Sequence, residues 1–124
     1  MSQTMFEKYG GFAQVSRIVS AFYGKVTRSS LLSPYFVGYD MPGLIDHQTK
    51  FIATLMGGPV SFTNERLASA HSKLGINDQA FDEVLRLLKE TFDDFDVEES
   101  DIGTIVGEIQ KRRPYIVTAK TTSV

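Results

Sequence analysis

The 124-residue chain has no cysteine, no tryptophan and only two histidines. Without cysteine there is no disulfide, no thiolate nucleophile and no iron–sulfur cluster, and such a chain fits a cytoplasmic protein. No apolar run approaches the roughly 18 residues that cross a bilayer, so no membrane partner is expected. The opening stretch, MSQTMFEKYGG, lacks the apolar core of a secretion signal. Charge of one sign is also missing. Thirteen Lys and Arg stand against 15 Asp and Glu, a net charge of −2, which argues against a nucleic-acid partner. No internal repeat or low-complexity tract is visible. What remains is a chain of one-domain size, able to bury a core, with nine Phe and five Tyr. One domain is expected over residues 1–117, and residues 118–124 read as a loose tail.

Apolar spacing is helical almost throughout, and strand alternation is nearly absent, so the fold class is all-α. A short segment from Thr4 to Tyr9 ends at Gly10-Gly11. Phe12, Val15, Ile18, Val19, Phe22, Tyr23 and Val26 then keep one face for four turns. Ser29-Ser30 opens a turn, followed by a short segment over Leu31 to Phe36. Asp40 is placed to cap the next helix, Pro42 fits its first turn, and Gly57-Gly58-Pro59 stops it. A short helical pattern ending in His71 closes at Gly75. Asn77 or Asp78 caps a long helix with Phe81, Val84, Leu85, Leu88 and Phe92 inward. Asp96 with Glu99 reads as a capping box for the last helix, which carries Ile102, Ile105, Val106 and Ile109 on one face. Lys111, Arg112 and Arg113 suit its C-terminal end, and Pro114 limits its continuation. As a phosphate-binding patch, that basic triplet is a small footprint.

Both histidines fall in apolar patterns. At about 100° per residue, Leu44, His47, Gln48, Phe51 and Leu55 share one arc of a helix. His71 lies one turn after Leu67. Buried imidazoles need partners. A nearby carbonyl is the ordinary one and a metal the more informative one. Two histidines without cysteine do not make a closed zinc site, and Asp46 is expected to face solvent. The centre that suits two imidazoles and a wide apolar lining is a haem, whose porphyrin supplies the remaining ligands.

Several runs together resemble the group I truncated (two-over-two) haemoglobins. They are the Gly10-Gly11 break, FYGKV at 22–26, YFVGYDM at 35–41, HQTKF followed by GGP, and AHSKLGI at 70–76. The likeness runs from Phe6 to Ile109. It implies a globin-like two-over-two helical sandwich around haem b (iron protoporphyrin IX). In that family His71 corresponds to the proximal iron ligand. Tyr23, Leu44 and Gln48 correspond to the distal residues, with Tyr23 and Gln48 as donors and the candidate catalytic pair. Phe36, Phe51, Ile76, Phe81, Val84 and Ile109 correspond to pocket positions. In some members a side chain near His47 binds the iron directly, which makes His47 a candidate sixth ligand. Some members also attach a haem vinyl to a late histidine, but this chain has none after His71. Lys50, Arg66 and Lys73 are propionate candidates by charge and position.

The resemblance implies reversible binding of dioxygen, nitric oxide and carbon monoxide. With Tyr23, Leu44 and Gln48 in place, it further implies nitric oxide dioxygenation served by an unidentified reductase, in a monomer or weak dimer. Two other readings stand beside it. One is a bis-histidyl haem protein for electron transfer or for nitrite or peroxide chemistry. The other is a haem-free helical sensor or interaction module. A haem-free core would be freer to replace Tyr23 and Gln48 by apolar groups.

Overall fold

The computed structural model describes residues 4–38, 40–58 and 76–117. The helices among them are α1 (Met5–Lys8), α2 (Gly11–Arg28), α3 (Met41–Leu55), α4 (Asp78–Asp94), α5 (Glu99–Lys111) and α6 (Arg113–Ile116). A 3-10 turn, Ser33–Phe36, lies between α2 and α3, and no strand occurs among the described residues. The His71 segment and the C-terminal tail lie outside them.

The apolar stripe of α2 is what organises the molecule. Val15, Ile18, Val19, Phe22, Tyr23 and Val26 are all buried, so the helix packs most extensively against α3 and next against α4. Phe12 departs from the expected stripe. It is 41% exposed, and its ring meets Phe6 edge-on at 4.7 Å. It sits in the first turn, where the chain has just left Gly11 and α1 offers only that one ring. From α4, Phe81, Leu85, Leu88 and Phe92 go inward, and Val84 is half-buried. Phe92 is fully buried, and truncating it to Ala would cost about 3–5 kcal/mol.

Helix ends explain where the sequence expectations held and failed. Asn77 caps α4, its side-chain oxygen accepting from the Ala80 N–H at 2.8 Å. Asp40 occupies the N-cap position of α3, but its side chain caps nothing. Pro42, two residues on, has no N–H to offer, and the carboxylate lies instead over Gly43, 2.6 Å from where a Cβ would stand. The Asp96 capping box is likewise absent. Glu98 is the N-cap of α5, without a side-chain bond, and Asp96 has a left-handed φ of 59°. The Val97 N–H donates to the Phe92 carbonyl at 3.0 Å and the Asp96 N–H to that of Asp93 at 3.0 Å. That is a Schellman motif, so Asp96 ends α4 rather than starting α5. The same motif ends α3, with Gly57 at φ +84° and the Gly58 N–H on the Ala53 carbonyl at 2.8 Å.

At the far end of α5, Arg112 donates to the Glu108 carbonyl at 2.8 Å, as a basic residue near a helix C-terminus should. Pro114 ends one helix and begins another, the short α6. α1 is fixed by a capping box between Thr4 and Glu7. It reaches two distant elements: the Phe6 N–H donates to the Met56 carbonyl at 2.9 Å, and the Tyr9 hydroxyl donates to Asp101 at the start of α5.

Candidate functional site

The inner faces of these helices do not close completely. Between them lies a cavity of about 90 Å³, part of it continuous with solvent. Helical spacing supplies the walls. α2 contributes Val19, Phe22 and Tyr23, and α3 contributes Leu44, Gln48, Phe51 and Ile52. Phe81, Val84 and Leu88 come from α4, Ile109 from α5, and Ile116 from α6. Phe36 of the 3-10 turn and Ile76, just before α4, complete the lining.

Only two of these side chains carry a polar group, Tyr23 and Gln48. The Tyr23 ring is held edge-on by Phe22 at 5.0 Å and by Phe36 at 5.8 Å. Burial pushes its phenol well above the ordinary value, so the hydroxyl keeps its proton and remains a donor. It makes no hydrogen bond among the described residues, and neither does the half-buried Gln48 amide. A buried tyrosine hydroxyl ordinarily finds a partner. Two donors beside an apolar cavity are therefore arranged for something that occupies it, and a flat apolar cofactor with a small polar ligand fits that description.

The structure brings together Tyr23, Phe36, Leu44, Gln48, Phe51, Ile76, Phe81, Val84 and Ile109, all read from sequence. His47 is not among them. It was expected on the inward arc and is exposed, outside the lining. The reason is the width of the buried face of α3. Thr49, Phe51, Ile52 and Ala53 are all buried, and so is Met56 just beyond the helix. At about 100° per residue, that arc is centred near Ile52 and Met56, roughly 140–180° from His47. Lys50 is exposed and pairs with Asp46 at 3.1 Å. His71, Arg66 and Lys73 lie outside the described residues.

Five lining residues were not singled out as site residues: Val19, Phe22, Ile52, Leu88 and Ile116. The first two and Leu88 stand in stripes already read as inward, so periodicity marked them as core without separating core from cavity. Ile116 had a fainter signal, a proline opening a new turn two residues earlier.

The bacterial-like globin family model matches residues 4–117. A group 1 truncated haemoglobin of Tetrahymena thermophila is 30% identical over 110 residues, 89% of this chain and 91% of that protein. The crystal structure of the Tetrahymena pyriformis truncated haemoglobin, in its Fe(III) form, superposes with a TM-score of 0.83 at 27% identity, over 93% of this chain and 98% of that one. The 2/2 haemoglobin of a Synechococcus species, solved in the cyanomet state with covalently attached haem, superposes with a TM-score of 0.82 at 32% identity, with the same coverage. The all-helical architecture is thus that of the two-over-two globins, and this chain belongs to the bacterial-like globin family and, within it, to the group 1 truncated haemoglobins.

Proposed function

We infer that the protein holds haem b in this cavity, binds dioxygen and other diatomic ligands there, and converts dioxygen and nitric oxide to nitrate. The observation that carries the reading is the pair of donors, Tyr23 and Gln48, which have no hydrogen-bond partner among the described residues and border an otherwise apolar lining. When bound, haem supplies the iron and the redox chemistry of the small ligand. The rest belongs to the chain. His71 would hold the iron. Phe36, Phe51, Phe81, Val84 and Ile109 would give the porphyrin apolar surface. The Tyr23 O–H and the Gln48 N–H would donate to a small ligand held there, and the largely apolar walls would make those bonds worth more than in water. Tyr23 is pinned by two rings, so little ordering is left to be done when the ligand arrives. The sum balances: one nitric oxide, one dioxygen and one electron give one nitrate. The electron is returned by a reductase.

The test is a hemin titration of the purified chain, followed by ferric and dithionite-reduced absorption spectra. Wild type should take up one hemin per chain and bind carbon monoxide when reduced. His71→Ala should lose most of the hemin affinity, and with it the rise in thermal stability that a folded-state ligand gives. Hemin affinity unchanged in that variant would remove His71 from the proximal role. Mixing the oxygenated protein with nitric oxide should yield stoichiometric nitrate; nitric oxide surviving unconsumed would leave a ligand-binding globin without this reaction.

A further inference from the structure

We propose that Arg113 is a latch holding the C-terminal turn against the cavity, and that it sets how long the cofactor stays in place; this rests on the haem reading above. α6 is four residues long, far too short to be stable alone. Yet it brings Ile116, 7% exposed, into the cavity wall. Among the described residues its backbone bonds are local: Val117 N–H to the Arg113 carbonyl at 2.8 Å, and Tyr115 N–H to that of Arg112 at 2.9 Å.

What ties the turn to a distant element is the Arg113 side chain. Its guanidinium donates to Asp78 at 2.7 Å and to Asp82 at 2.6 Å, both in the first turns of α4. Its central carbon lies 4.4 Å from the ring centroid of Phe81, which lines the same cavity. One side chain thus fastens two pieces of wall, Ile116 and Phe81. The acidic pair argues the same way from the other side. Asp78 and Asp82 are one turn apart and repel each other on an isolated helix unless a cation bridges them. A planar fork that also stacks on a ring does this, and a lysine does not. The neighbouring Lys111 and Arg112 play no such part, since both pair with Glu108 of their own helix.

The experiment loads the full chain with hemin and follows its transfer to excess apomyoglobin. Two partly exposed ion pairs and one cation–π contact predict that Arg113→Ala loses hemin about five- to tenfold faster. The Asp78→Asn, Asp82→Asn double variant should match it, Arg113→Lys should fall between, and Lys111→Ala should equal wild type. Salt should speed loss from wild type more than from Arg113→Ala, because only the former has these pairs to screen. Amide exchange at Tyr115 and Val117, read without hemin, should quicken in Arg113→Ala. Should Arg113→Ala prove unfolded by circular dichroism, Arg113→Lys and the asparagine pair carry the same comparison. Unchanged hemin loss in the folded variants overturns the latch. A wild type that takes up no hemin sinks the haem reading instead, and amide exchange then decides the latch: unchanged exchange overturns it.

Discussion

The Tyr23 hydroxyl stands beside the cavity with its proton locked on by burial and no hydrogen-bond partner among the described residues. On the proposed haem reading, replacing it with Phe would remove one hydrogen bond to a charged ligand and leave the packing between Phe22 and Phe36 nearly intact. Such a bond is worth about 1.5–3 kcal/mol, so dioxygen should leave the reduced protein roughly 10- to 100-fold faster, by stopped-flow displacement. Gln48→Leu should act the same way but more weakly, and the double variant should fall short of additivity because both donors share one acceptor. An off-rate unmoved by Tyr23→Phe would mean that the hydroxyl addresses something else. Because its ionisation is pushed upward, the donor should survive alkaline buffers: the off-rate should stay flat as pH approaches the ordinary tyrosine value of 10.0. His47 poses a different question. As a sixth ligand it would have to leave its exposed place on α3. That role requires a low-spin ferrous spectrum without added gas, which His47→Ala turns high-spin with faster carbon monoxide binding. A wild type already high-spin would agree with the exposed side chain and end the sixth-ligand proposal.

At the scale of elements, the ends of helices are where composition misleads. Asp96 and Glu99 have the spacing of a capping box, yet the chain uses Asp96 as the left-handed residue of a Schellman motif. Non-glycine residues carry a penalty there of about 1–2 kcal/mol. Asp96→Gly should therefore raise stability, by up to about 1 kcal/mol after the flexibility glycine adds to the unfolded chain. Asn77→Ala should lower it by about 1 kcal/mol, since that cap is made. Urea denaturation at equal slope checks both, and a destabilised Asp96→Gly would mean that the carboxylate does more than turn the chain. Element type was legible because α2 and α4 carry unbroken helical stripes of large apolar groups. Part of the cavity was legible too, since Phe81, Ile109 and Phe51 lie on inward helical faces of α4, α5 and α3, while Phe36, in the 3-10 turn, was marked only by the family resemblance. His47 was misplaced because a single-arc reading assumes one neighbour. α3 meets α2 with Thr49, Ile52 and Ala53 buried, and that widens its buried face and turns it away from the histidine. The Arg113 contacts were invisible for another reason. Nothing local in Lys111–Arg112–Arg113 says which of three basic residues will cross to α4.

Across the whole molecule, α1 is a strap of four residues joining the end of α3 to the start of α5. Asp101 accepts from the Tyr9 hydroxyl and from Lys8, and these contacts hold its carboxyl below the ordinary value. The folded state thus prefers the ionised form. Its contribution is complete above the unfolded value of 3.8 and fades as pH falls through and below it. Asp101→Asn should be less stable than wild type by about 1 kcal/mol at pH 7, and the gap should close in strongly acidic buffer. A gap that persists there would assign the loss to packing. The strap has a further consequence in time. Its bond from Tyr9 to Asp101 spans 92 residues of sequence, and the link from Phe6 to Met56 spans most of the N-terminal half. Contacts between such remote positions need the intervening chain to be ordered first, while the local turns of α2 and α4 need no such wait. Docking of α1 is then expected after the rate-limiting barrier. Tyr9→Phe should leave the folding limb of a chevron plot in place and raise the unfolding limb, so that the strap governs how long the assembled molecule lasts and not how quickly it forms.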